Sequence, residues 1–248
     1  MTLLTEPTRI VLAKGQPVPN DPNFAFNSLL LHGNGTNGST VITDSSGSPK
    51  TVTAVGNAQI STAIADPFGN STRGVLAFDG TGDYLTVPST GTPGDFGAGD
   101  FTVELWTFLV SRINTFPCLL GNYTAFAAGS FALFAGHSSS STTQYQLALN
   151  GSGFPSINAG TIIYNAWAHI AVVRSGSTIS LYLNGTSVGS ATSSVNLTGT
   201  TGSLFIGTTG DGVAGGAING HIDDLRITKG VARYTATFTP PTAAFPDL

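Results

Sequence analysis

Hydrophobic and polar residues alternate along most of this chain, in short runs punctuated by Gly, Asn, Asp and Pro. A period of two puts successive side chains on opposite faces of an extended strand. FTVELWTFL sets Phe101, Val103 and Leu105 against Thr102, Glu104 and Trp106. TISLYLNGTSVGSA places two alternating runs around Asn184-Gly185, a pair suited to the positive φ angles of a type I′ turn, and predicts a hairpin. VLAFDGTGDYLTVP reads as a second hairpin around a Gly-rich turn, stopped by Pro88. WAHIAVVRSG is apolar on both faces, as a central strand is. Further strands are predicted at 26–32, 74–79, 131–135, 144–149, 203–206 and 217–227. Only KGVARY suggests helix, and only a single turn. Strands spaced roughly every ten residues, with no helices between them, predict an all-β sandwich.

Residues 1–24 depart from this pattern. Pro7, Pro17, Pro19 and Pro22 break regular structure, so the segment is expected to be an extended N-terminal arm ahead of one domain over 25–248. TRIVLAK inside the arm has the character of a strand that could add to a neighbour's sheet.

Composition sharpens the picture. The chain has 248 residues and only 9 basic and 13 acidic side chains, a net charge of −4. A charged fraction of 9% is low for a globular domain. Three lysines cannot line a phosphate backbone, so nucleic acid is not expected as a partner. No apolar run reaches the ~20 residues of a membrane-spanning helix, and the first residues carry no signal-peptide pattern. Cys118 is the single cysteine, so no disulfide can form within the chain.

Catalytic patterns are absent as well. The only glutamates are Glu6, in the arm, and Glu104, in a strand with no second acid beside it. A retaining glycosidase needs two carboxylates about 5 Å apart. His32, His137, His169 and His221 are far apart in sequence and lack zinc spacing. No Gly-x-Ser-x-Gly elbow is present, and the Gly-rich stretches precede no helix. Asp79 and Asp83 flank the turn in FDGTGDY and read as turn formers first, with a metal role the less favoured alternative.

Six segments in order resemble a known family: LLLHGNGTNGSTVITDSSG, GVLAFDGTGDYLTVP, GDFTVELWTFL, NAWAHIAVVRSGSTISLYLNG, GSLFIG and HIDDLRITKGVARYTATFTPP. Together they are similar to a laminin G-like domain of the concanavalin A-like lectin/glucanase superfamily, of the kind frequent in bacteriophage virion proteins. The resemblance spans about residues 26–246. It implies an antiparallel two-sheet jelly-roll sandwich with its first and last long strands close together. It also implies one structural calcium at the rim, held by Asn34, Asp44 and Asp223. Asn34 stands where the family tends to show Asp, which lowers the charge of such a site. Glycan binding, if present, is expected on the loops carrying Asn122, Tyr123, Phe126 and Asp211.

Two functions follow as expectations. The first is a non-enzymatic phage virion part, a head decoration or a tail or fibre component. It would be made in the host cytoplasm and would form a homo-oligomer attached to other virion proteins through the arm. The alternative is a lectin that recognises a cell-surface glycan. The stretch IDDLRITKGVARYTATFTPP concentrates five charged side chains in a chain that otherwise avoids them. Strict alternation would put Asp223 on the same face as Leu225 and Ile227, and would let Asp224 and Arg226 pair with each other or with neighbours. The stretch is therefore expected to be the seam that fixes the chain's end against its beginning.

Overall fold

The computed structural model describes residues 20–88, 93–122, 129–149, 156–198, 202–209 and 215–248. Among them, fifteen strands form two antiparallel sheets. In chain order they are β1 (Asn27–Leu31), β2 (Thr53–Val55), β3 (Gln59–Ser61), β4 (Val75–Asp79), β5 (Tyr84–Val87), β6 (Phe101–Ser111), β7 (Cys118–Gly121) and β8 (Phe131–His137). They continue as β9 (Ser141–Leu149), β10 (Ile157–Thr161), β11 (Trp167–Ser175), β12 (Thr178–Leu183), β13 (Thr186–Thr192), β14 (Leu204–Ile206) and β15 (Asn219–Lys229). One sheet runs β13-β12-β11-β6-β15-β4-β3, with β1 also paired to β15; the other runs β10-β9-β8-β7-β14-β5-β2. The core between them takes Val103, Leu105, Ile170, Val172, Leu225 and Ile227 from the first sheet and Leu85, Leu120, Leu133, Leu147 and Ile206 from the second. This is the all-β sandwich that the alternation predicts, and the first strand lies against the last.

The β12–β13 hairpin forms as expected, with Asn184 at φ 48° and Gly185 at φ 78°, both positive as a type I′ turn requires. VLAFDGTGDYLTVP does not form a hairpin. Its first half, β4, pairs with β15 and β3; its second half, β5, pairs with β14 and β2 in the other sheet. The Gly-rich turn is a corner that carries the chain across the sandwich. Asp83 ties that corner, accepting the amides of Asn57 at 2.8 Å and Asp79 at 2.9 Å. KGVARY forms no helix: it is irregular backbone leaving β15, with a short 3₁₀ turn instead at Phe24–Phe26.

One irregularity decides the chemistry of the last strand. Opposite β6, Asp223 faces Trp106 and Arg226 faces Glu104, so one extra residue is accommodated between them. Asp224 sits at φ 43° at this bulge, a conformation that Asp adopts more readily than most residues. The bulge inverts the alternation: Ile222, Leu225 and Ile227 face the core, and Asp223 does not. The expectation that Asp223 shares a face with Leu225 and Ile227 is thereby corrected, because alternation cannot foresee an inserted residue.

Candidate functional site

The outward face of the first sheet is covered by the chain itself. Residues 231–248 cross it: Tyr234 donates its hydroxyl to Glu104 at 2.7 Å and stacks on Phe238 with ring centroids 3.6 Å apart. Further along, the Arg226 guanidinium lies over the Phe245 ring at 3.7 Å. From the other end of the chain, Asp21 reaches the same face, and its amide donates to the carbonyl of Leu248. The loop between β3 and β4 covers a further part, with Ala65 accepting the Trp167 indole N–H and Phe68 set edge-on to Trp106.

Beneath this cover lies a buried network of five polar side chains. Arg226 donates through Nε and Nη2 to Glu104 Oε1 at 2.9 and 2.7 Å, and through Nη1 to Asp21 at 3.1 Å. Arg233 donates to both oxygens of Asp21 at 2.9 and 2.7 Å. His169 Nε2 stands 3.4 Å from Glu104 Oε2. Burial alone would raise the Glu104 carboxyl, but the Arg226 charge, with His169 and Tyr234, outweighs it and holds it at about 2. For Asp21 too, burial pushes upward and the two arginines leave the carboxyl below its usual value. Of the two pairings open to Asp224 and Arg226, the one with neighbours occurs: the bulge sends Asp224 to His32 at 2.5 Å and to the Phe245 amide at 2.9 Å.

These carboxylates cannot serve a glycosidase. Glu104 is the only glutamate among the described residues and is fully buried. Both it and Asp21 are held ionised by arginines, whereas a glycosidase acid must keep its proton near neutral pH.

Two of the three expected calcium ligands, Asp44 and Asn34, are already engaged by donors. Asp44 is saturated by donors, taking the amides of Leu30 at 3.0 Å, Ser46 at 2.9 Å and Lys50 at 2.8 Å and the Ser46 hydroxyl at 3.0 Å; it organises a turn. Asn34 accepts from Arg73 Nε through its amide oxygen at 2.9 Å, and the same guanidinium lies 3.4 Å from Asp66. Asp223 alone has the character of a cation ligand, since both its oxygens are buried without a hydrogen bond. It lies under Gly33, where a Cβ would come within 3.0 Å of its Oδ1. Burial and the neighbouring Asp224 push its carboxyl up to about 8, although Arg73 and His32 pull the other way. Arg73 and the His32 imidazolium thus both bring positive charge to this rim. Among the described residues no three His, Cys, Asp or Glu side chains are placed to hold a metal ion.

His32 closes the seam. It bridges Asp224 through Nδ1 and Asp247 through Nε2, at 2.5 and 2.8 Å. Burial would lower the imidazolium, but the two carboxylates raise it to about 9. A His raised above its unfolded value of 6.5 stabilises the fold fully below that value and loses the contribution as pH climbs through 9. The C-terminal residues are therefore expected to become susceptible to carboxypeptidase above pH 9 while staying protected at pH 6. Equal digestion rates at the two pH values, corrected for the protease's own profile, would rule the clamp out.

Of the four glycan-binding candidates, Asn122 is buried, its Oδ1 accepting the Phe131 amide at 2.8 Å. It ties the end of β7 to the start of β8 and does not face solvent, which corrects its assignment to an exposed contact. Tyr123, Phe126 and Asp211 lie outside the described residues. Sequence reasoning missed the polar network altogether. Its one visible signal was the crowding of Arg226 and Arg233 near the end of a charge-poor chain.

A two-sheet sandwich whose only described glutamate is locked into ion pairs defines a lectin-like β-sandwich domain. The chain belongs to the Laminin_G_3 family of the concanavalin A-like lectin/glucanases superfamily, whose model matches residues 79–233. No curated protein matches it. Solved structures share the fold. The binding domain of Paraclostridial Mosquitocidal Protein 1 is 13% identical with a TM-score of 0.58, over 84% of this chain and 50% of that one. Domain 4 of AbnA, a GH43 extracellular arabinanase from Geobacillus stearothermophilus in complex with arabinotriose, is 19% identical with a TM-score of 0.55, over 83% and 94%. A structure of botulinum neurotoxin type C, concerned with its interaction with two ganglioside molecules, is 15% identical with a TM-score of 0.53, over 84% and 49%. The chain thus spans about half the length of the toxin chains it resembles and nearly all of the arabinanase domain.

Proposed function

We propose that this chain is a non-catalytic carbohydrate-binding module. The observation that carries the reading is the locked state of Glu104 and Asp21, in a superfamily whose members divide between lectins and glucanases. With those acids buried and ionised, the lectin role is the one the geometry supports. The likeness to a domain in complex with arabinotriose points the same way. A soluble bacterial or plant-type polysaccharide embedded in a native gel should retard the protein saturably while releasing no reducing ends. Release of reducing ends would overturn the non-catalytic reading, and unchanged mobility across a broad polysaccharide panel would overturn the binding one.

A setting on a virus particle is the second reading. Among the described residues nine Asp, Glu and Arg side chains are buried, in a chain with 9 basic and 13 acidic ones. A surface left so poor in charge is covered by neighbouring subunits at low desolvation cost. This setting brings with it the virion localisation, the self-association and the attachment through the N-terminal arm, residues 1–24, expected from the sequence, although Asp21 within that arm is held in this domain's own network. Antibody labelling of particles tests it, and a monomer that labels none would end it.

A further inference from the structure

The corner FDGTGDY borders a cavity of about 240 Å³ that the buried network does not use. Its rim is built by β3, β4 and β15 together with the corner itself. Asn57 and Asp83 come from the turns, Gln59 from β3, Asp79 from the end of β4, and Asn219 and His221 from the start of β15. We infer that this cavity is a binding site for a single uncharged hexose unit. The inference rests on the carbohydrate-binding reading and gives it a location.

Open hydrogen-bonding capacity is the first argument. Asn57 donates its side-chain amide to Asp79 at 2.8 Å, and Thr81 donates its backbone amide to Asp79 at 2.7 Å, so the carboxylate is held in place with lone pairs remaining. Asn219 is fixed by donating to Ser111 at 2.9 Å, which leaves its amide oxygen unused. Gln59 makes no side-chain hydrogen bond among the described residues, and His221 Nδ1 is buried without a partner. Burial lowers the His221 imidazolium, so the ring is neutral at pH 7 and can exchange donor and acceptor roles. Sugar hydroxyls each donate and accept, and a mixed rim of carboxylate, amides and imidazole meets both needs.

Charge and size narrow the class. Two carboxylates and no lysine or arginine line the cavity, which disfavours sialic and uronic acids. A bound cation is disfavoured too, because among the described residues no three His, Cys, Asp or Glu side chains are placed to hold one. The volume lies just below the ~300–1,000 Å³ of drug-sized sites, room for one ring and not for a chain of them. Ala77 supplies an apolar patch in the lining, and His221 is backed edge-on by Phe108.

Saturation-transfer NMR on the full chain with methyl hexopyranosides is the test, with methyl glucuronide and sialic acid as the anionic arms. Uncharged hexosides are expected to bind saturably and to shift the His221 ring protons, and the anionic sugars are not. Gln59→Ala and His221→Ala, both at the rim and outside the core, should each weaken binding about tenfold, the loss of one good hydrogen bond. Undiminished binding by both variants, or hexoside binding without a His221 shift, would overturn the inference. Retention on polysaccharide gels with no hexoside signal would overturn it while leaving the carbohydrate-binding reading intact. Absence of both would end the two together.

Discussion

Arg226→Met lowers the stability of this domain by about 3–5 kcal/mol, a large part of the ~5–15 kcal/mol that holds a typical domain folded. Methionine keeps much of the aliphatic volume and removes the charge. Glu104 then stays fully buried with only Tyr234 as a close donor, and Asp21 keeps Arg233 as its one cationic partner. Burial, which Arg226 now overrides, would dominate and push the Glu104 carboxyl upward. Loss of the guanidinium also releases Phe245 and weakens the hold on the C-terminal segment. Denaturant unfolding followed by tryptophan fluorescence measures the loss directly. The double variant Glu104→Gln with Arg226→Met should recover a large share of it, since the stranded charge is then gone. A single variant within about 0.5 kcal/mol of the parent would mean that the network contributes no net stability.

The same network shows how much the sequence could tell. Strand positions were legible because alternation reports which side chains can face a core, and Asn184-Gly185 named its own turn. The corner at FDGTGDY was not legible. A Gly-rich turn between two alternating runs looks the same whether the runs pair or cross to opposite sheets, and only β15 and β14 as partners decide it. The bulge at Asp224 was hidden for a related reason: one inserted residue leaves composition unchanged and reverses every face beyond it. The crowding of charge in β15 and the tail correctly marked the seam between the chain's two ends. Its actual pairings, Arg226 with Glu104 and Asp224 with His32, span 122 and 192 residues, beyond the reach of any local pattern. The residues around the inferred sugar cavity, Gln59, Asn57 and Asn219, are ordinary loop and strand-end residues in sequence. Only the fold brings them to one rim.

Asp223→Asn is expected to act in the opposite direction and to stabilise the domain at neutral pH. Asp223 is fully buried and neither oxygen has a hydrogen-bond partner. Burial, reinforced by Asp224, raises its carboxyl from 3.8 to about 8. A group whose folded value is raised binds its proton more tightly in the folded state, so folding is favoured at low pH. The advantage fades as pH rises, because ionisation of the unfolded chain from pH 4 upward draws the equilibrium away from the fold. The parent should therefore lose stability continuously between about pH 4 and pH 8, on the order of 4 kcal/mol by pH 7. Asparagine has nearly the same shape, stays neutral throughout and removes that slope. The two proteins should melt together near pH 3 and separate steadily above pH 4, with the variant more stable at pH 8. Thermal melts across this range, with and without calcium and a chelator, decide the matter. Should the variant instead be less stable at pH 7, with the difference erased by chelator, Asp223 would be a cation ligand and Arg73 and His32 would not be the only charges that serve this rim.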